Sequence, residues 1–125
     1  MSMFKEYERE VLRLLTAGVL SPGQLEILAS EGEFVGYDYT GSGYFLSVRH
    51  GSLPAGRVVC NAPLVMGSAD GVICGFVIFI ENGELTIECH TWGDANIPEG
   101  FRDRDVRIAA TSQRHAPDAP PRCLS

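Results

Sequence analysis

The sequence predicts an α+β domain in which two N-terminal helices pack on a mainly antiparallel sheet of about five or six strands. Three observations carry this. Apolar residues over the first 31 positions recur with helical spacing. From position 33 onward they run in short β-rich stretches broken by turn residues. An Asn-Gly pair at Asn82 and Gly83 joins the two strongest of those stretches.

Residues 4–17 read as an amphipathic helix. Phe4, Tyr7, Val11, Leu14 and Leu15 follow the i, i+3, i+4 rhythm, and Glu6, Arg9, Glu10 and Arg13 take the other side. Gly18 is the expected left-handed residue that ends it. A second, shorter helix begins where Ser21 can cap, Pro22 fits the first helical position and Gln24 completes a capping box. It presents Leu25, Ile27 and Leu28, and Gly32 stops it.

Residues 33–39 and 44–50 flank Thr40, Gly41, Ser42 and Gly43, which is hairpin-loop chemistry. A loop follows over residues 51–56. Residues 57–66 are β-rich, but Pro63 has no N–H for a ladder, so the second half of this run belongs at an edge or a bulge. Residues 67–71 form another turn. The clearest element is a hairpin of residues 72–80 and 85–92. With Asn82 and Gly83 as a two-residue loop, Ile80 faces Leu85, Ile78 faces Ile87 and Phe76 faces Cys89, and these six form the core face. The opposite face pairs Phe79 with Thr86, Val77 with Glu88 and Gly75 with His90, with Trp92 next along. A last strand over residues 104–109 completes a single domain spanning residues 1–110. Residues 111–125 read as a disordered, Pro-rich tail. Leu12, Leu15, Leu25 and Leu28 join the hairpin's apolar face as the expected core.

The chain of 125 residues carries 10 basic and 16 acidic side chains, a net charge of −6. Nucleic-acid binding draws most of its non-specific affinity from Lys and Arg, so this balance excludes nucleic acid as a partner class. The one dense basic stripe, Arg102, Arg104 and Arg107, is interrupted by Asp103 and Asp105 and reads as a solvated strand or loop. No apolar run approaches the ~18 residues of a membrane span. Lys5, Glu6, Glu8, Arg9 and Glu10 stand where a signal peptide would be apolar, so the expected location is cytoplasmic, with no membrane partner. Cys60, Cys74, Cys89 and Cys123 lack the close pairing that zinc ligands need, and no metal or cofactor is expected. The first three read as small buried hydrophobes, and Cys123 as a free thiol in the tail.

Three stretches, residues 7–15, 41–45 and 75–85, resemble a group of small uncharacterised bacterial proteins. In that group a glycine-containing turn before a strand, and a hairpin of the type Gly75, Phe76, Phe79, Asn82, Gly83, Leu85, recur in the same order. The resemblance spans about residues 4–92 and implies the α+β fold; it brings no activity and no site residue with it.

No motif fixes a reaction. The best candidate surface follows from the hairpin register: Glu88, His90 and Trp92 alternate onto the face opposite the core, where a carboxylate beside an imidazole on a rigid strand suits acid–base work or ligand binding, with the aromatic as cover. Neither a nucleophile nor a second acid is placed with them, and a half-wet outer face explains the same pattern. Cys89 and His90 are adjacent on one strand and point to opposite faces, so they form no dyad. A His50–His90 metal site lacks a third ligand. The Thr40–Gly43 loop leads into a strand rather than a helix, against a phosphate cradle. Asp94, Asn96, Glu99, Asp103 and Asp105 are too sparse for a calcium loop and read as solvated.

Three readings follow. The first is a non-catalytic acidic interaction module, of the immunity or antitoxin kind, that blocks a basic partner. The second is a small-molecule-binding domain and the third a small enzyme, both using Glu88, His90 and Trp92. Homodimerisation through a sheet edge is compatible with each. The register itself is testable: Ile78→Ala is expected to destabilise the fold by ~2–5 kcal/mol in denaturant unfolding, and a near-neutral result overturns the assigned pairing.

Overall fold

The computed structural model describes residues 3–92 and 96–110, so the tail expected over 111–125, with Cys123, lies outside the described residues. Two helices, α1 (Glu6–Leu15) and α2 (Pro22–Glu31), precede seven strands: β1 (Glu33–Tyr39), β2 (Gly43–Arg49), β3 (Val58–Cys60), β4 (Val65–Ala69), β5 (Val72–Glu81), β6 (Glu84–Thr91) and β7 (Arg107–Ala110). A short 3-10 turn, Phe101–Asp103, lies before β7.

Helix α1 is shorter than its apolar pattern at both ends. Thr16 ends it by turning on the preceding turn: its hydroxyl donates to the Leu12 carbonyl at 2.6 Å and its N–H to the same oxygen at 3.0 Å. Gly18 is therefore not needed as a left-handed cap and does not adopt that conformation. Helix α2 begins as its residues dictate. Ser21 Oγ accepts from the Gln24 N–H at 3.1 Å, and Gln24 Oε1 accepts from the Ser21 N–H at 2.8 Å. Of the three apolar residues expected inward, only Leu28 is fully buried; Leu25 is half-buried and Ile27 is exposed, because this helix meets the domain along one narrow line.

The strands form one sheet in the order β1-β2-β6-β5-β4-β7, antiparallel throughout, with β3 also paired to β5. Strands β3 and β4 share one side of β5, and the gap between them contains Pro63, which lacks a ladder donor. That split raises the strand number to seven. The β4–β5 turn is tighter than the sequence suggests: β4 runs through Ala69, and only Asp70 and Gly71, with φ of 54° and 82°, turn the chain. Asn82 and Gly83, with φ of 56° and 77°, turn the β5–β6 hairpin. Its register is the expected one, with Ile80 opposite Leu85, Ile78 opposite Ile87 and Phe76 opposite Cys89.

Those six side chains are buried, and with Leu46, Val48, Leu12, Leu15 and Leu28 they form the core between sheet and helices. Helix α1 lies over β4, β5 and β7. Cys60, Cys74 and Cys89 are buried free thiols within this core.

The segment after Trp92 departs most from expectation. Ile97, Phe101 and Val106 are buried, and β7 begins at Arg107 rather than 104. Arg102 is not a solvated cation. Its guanidinium grips Glu8, whose carboxylate is wholly buried, through Nε to Oε2 at 2.7 Å and Nη2 to Oε1 at 2.9 Å. The same Oε2 accepts from the Tyr44 hydroxyl at 2.6 Å, and Oε1 accepts from the Lys5 N–H at 2.8 Å. Arg102 also donates to the Met3 carbonyl at 2.8 Å and stands over the Tyr37 ring, 5.5 Å from its centroid. The Tyr7 hydroxyl lies 2.9 Å from that of Tyr44 and 3.1 Å from the Arg102 carbonyl. Every oxygen of Glu8 is thus satisfied twice, which a buried carboxylate requires.

Two expectations follow from this network. Glu8→Gln leaves the guanidinium without its counter-charge and is expected to lower stability by about 3–5 kcal/mol in denaturant unfolding. A loss below about 1 kcal/mol, the range of an exposed pair, would show that the network is not closed. Burial, and after it the Glu8 carboxylate, push the Tyr7 and Tyr44 hydroxyls far above their ordinary value of 10.0. Above about pH 10 the unfolded chain sheds protons that the folded chain keeps, so stability is full below that pH and falls as pH rises beyond it. Denaturant melts between about pH 8 and pH 11 are expected to show this fall, and Tyr7→Phe should make it shallower; a flat profile contradicts it.

Candidate functional site

Among the described residues the helices lie on one face of the sheet and no element covers the other, so the register decides what that outer face displays. One cross-strand row carries Gly36, Ser47, Thr86, Phe79 and Val59. The next carries Asp38, Phe45, Glu88 and Val77. A third carries Gly43, His90, Gly75, Met66 and Ala109. Of these, Phe45 and Val59 are exposed, as are Ile73 and Trp92 at the end of the face. Such a concentration of large apolar side chains on one uncovered face marks a contact surface more often than chance exposure does.

Glu88, His90 and Trp92 share this outer face, as strand alternation dictates. The structure places Glu88 between Phe45 and Val77, two positions from His90 on β6. The His90 ring instead stacks on Trp92, with centroids 6.5 Å apart and planes inclined by 19°. Both rings settle on Gly75. A Cβ there would lie 2.8 Å from His90 Nε2 and 2.9 Å from Trp92 Cζ3, so only glycine admits the pair. This is aromatic cover of a strand glycine. Trp92 is 44% exposed, and Glu88 and His90 are half-buried.

Of four clefts on the described surface, Glu88, His90 and Trp92 line none. The widest, about 430 Å³, crosses the outer face between Val35, Asp38, Phe45, Ser47 and Thr86. A second on this face lies at the hairpin end beside Phe79, Glu81 and Glu84. The largely apolar groove between α1 and α2 contains Phe4, Leu12 and Leu25, with Arg9 paired to Glu26 across its rim at 3.2 Å. The fourth borders the α1 N-terminus and the arginine segment. There Lys5 meets Asp103 at 2.7 Å and holds its carboxyl below the usual carboxylate range.

The remaining candidates stay apart. His50 follows the far end of β2 from Gly43, the residue opposite His90, and bonds Ser52 through Nδ1 at 2.9 Å. The Thr40–Gly43 loop closes its hairpin with the Thr40 N–H on the Gly43 carbonyl, and the Ser42 carbonyl accepts from Thr91. Asp94 lies outside the described residues, while Asp103 is tied to Lys5. The Cys89 thiol is pushed up by its hydrogen bond with Cys74 and by burial, which leaves it protonated and unreactive. Among the described residues no group of three or more His, Cys, Asp or Glu is placed to hold a metal ion, and no helix is long and apolar enough to cross a membrane.

The Glu8 cluster escaped sequence reasoning. Glu8 falls among exposed charges on a helix of mixed polarity, and Arg102 is 94 positions away in a stretch that alternates basic and acidic residues. The capping geometry, Glu8 as the third residue after Lys5, is the one local signal that its side chain turns inward rather than to solvent.

Comparison with protein-family models, with curated proteins and with solved structures returned no match. What the chain does must therefore be argued from the face itself. Gly75→Ala is expected to lift both rings, destabilise the fold by about 1–3 kcal/mol and move the emission of Trp92, the single tryptophan, to longer wavelength. Unchanged stability and emission would show that the rings are not seated there.

Proposed function

We propose that this protein is a non-catalytic interaction module of the immunity or antitoxin kind, which blocks a basic protein through the uncovered face of its sheet. The observation that carries this reading is the one-sided burial. Helices close one face, while the other exposes Phe45, Val59, Ile73 and Trp92 with the half-buried Val77 and Phe79 between them. A sheet face of this composition gains free energy when a partner covers it.

Charge supports a partner unlike itself. The outer face carries Glu33, Asp38, Glu81, Glu84 and Glu88 against Arg49, Arg57 and Arg107. Two copies meeting through this face would set carboxylate against carboxylate, whereas a basic surface is attracted and its encounter accelerated. The net charge of −6 acts in the same direction at longer range. Three buried free thiols suit a reducing cytoplasm. Glu88, His90 and Trp92 belong to the contact surface in this reading, and they need no catalytic geometry.

The test uses the whole chain as bait, beside Val59→Ser with Phe79→Ser on the outer face and Arg13→Ser on the helix side. The expected outcome is a stoichiometric basic protein held by the wild type and by Arg13→Ser, and lost with the outer-face pair. Equal capture by all three baits, or a stable homodimer of the free chain that the Val59→Ser, Phe79→Ser pair abolishes, would refute the proposal.

A further inference from the structure

We infer that the trough across the outer face docks a segment of a partner protein that presents an apolar side chain next to an arginine or lysine. This rests on the proposed binding face and assigns the chemistry it recognises. The trough, about 430 Å³, has a floor of Gly36, Ser47 and Thr86, three small residues in one cross-strand row. The Ser47 and Thr86 hydroxyls lie 2.8 Å apart and share one hydrogen bond, so an apolar side chain on this floor leaves one O–H rather than two in need of an acceptor. Val35 and Phe45 also line it, to either side of that row. Val35 falls in the register shift between Phe34 and Gly36, an extra residue on β1 opposite the regular ladder of β2.

The charge beside the trough is specific. Asp38, Phe45 and Glu88 occupy one cross-strand row, so two acidic residues flank the exposed Phe45 from the adjacent strands, with backbones about 5 Å to either side of its own. A guanidinium or ammonium over that ring gains its π face and both carboxylates together. The hairpin end of the same face has no such vacancy: Arg49 holds Glu84 at 3.1 Å and Arg57 holds Glu81 at 3.6 Å. Asp38 and Glu88 have no ion-pair partner among the described residues, which leaves the uncompensated charge of the face around Phe45. An apolar side chain in the trough and a cation over Phe45 are two residues apart along the strands, the spacing of side chains i and i+2 on an extended partner segment.

The experiment titrates the full chain, observed by amide NMR, with a capped hexapeptide Leu-Ser-Arg-Ser-Leu-Ser, whose leucines and arginine share one face when extended, and with the same peptide carrying glutamate for arginine. The expected result is shifts centred on Gly36, Phe45, Ser47 and Thr86 for the arginine peptide only. Asp38→Asn with Glu88→Gln, both on the exposed face, should keep the wild-type melting temperature and weaken binding roughly fivefold to tenfold, an effect that salt reproduces in the wild type. Shifts centred on Glu6 and Glu10 of α1, equal binding of the glutamate peptide, or unchanged affinity in the double variant each overturn the assignment. The binding-face proposal is judged separately. If Val59→Ser with Phe79→Ser abolishes capture of a cellular partner while Asp38→Asn with Glu88→Gln leaves it untouched, the trough assignment fails and the face stands. A dimer of the free chain that buries Phe45 defeats both.

Discussion

The contact between Glu8 and Arg102 ties together parts of the chain that nothing else joins so tightly. It fastens the first turn of α1 to the segment before β7, and through Tyr44 it fastens both to the second strand of the sheet. A buried carboxylate is tolerated only when its counter-charge and its hydrogen bonds are all in place. Here a guanidinium, a tyrosine hydroxyl and a backbone N–H meet that demand, so helix, sheet and C-terminal segment must arrive together. The arrangement also explains why α1 sits over β4, β5 and β7 rather than elsewhere on the sheet: Arg102 and Tyr7 set its position, and the apolar residues fill the space beneath.

With the helices held to one face, no other described element covers the opposite one. Seven strands make that face broad, and the alternation of the strands populates it with side chains the core did not take. Some of these are ordinary surface residues, such as the Arg49–Glu84 and Arg57–Glu81 pairs. Others, the aromatic and β-branched residues between them, are not what a permanently wet face would carry. In the proposed reading, function is a matter of what covers this face, and the protein's acidity favours surfaces of opposite sign.

The β5–β6 hairpin was wholly legible, because its determinants are local: Asn82 and Gly83 both adopt positive φ, and from that turn the pairing of every residue to His90 follows. The α2 cap was legible for the same reason, since Ser21 and Gln24 answer each other within one turn. The end of α1 was not, because Gly18 and Thr16 are both competent to end a helix and the choice fell to a hydroxyl two residues earlier. The face shared by Glu88, His90 and Trp92 was legible from alternation, but the stacking of His90 on Trp92 over Gly75 was not; it depends on the close approach of two strands at a residue without a Cβ.

The sequence by itself determined the fold class, the two helices ahead of the strands, the hairpin register and the apolar residues of the hairpin's core face. All of these follow from periodicity and turn chemistry, which act over a few residues. Tertiary structure alone decided that the arginine segment turns inward, that Glu8 is buried, that β3 and β4 share one side of β5, and that Asp38, Phe45 and Glu88 come into one row. Each of those depends on contacts between residues far apart in the chain. Their free energy appears only once the sheet is assembled, so no local pattern announces them.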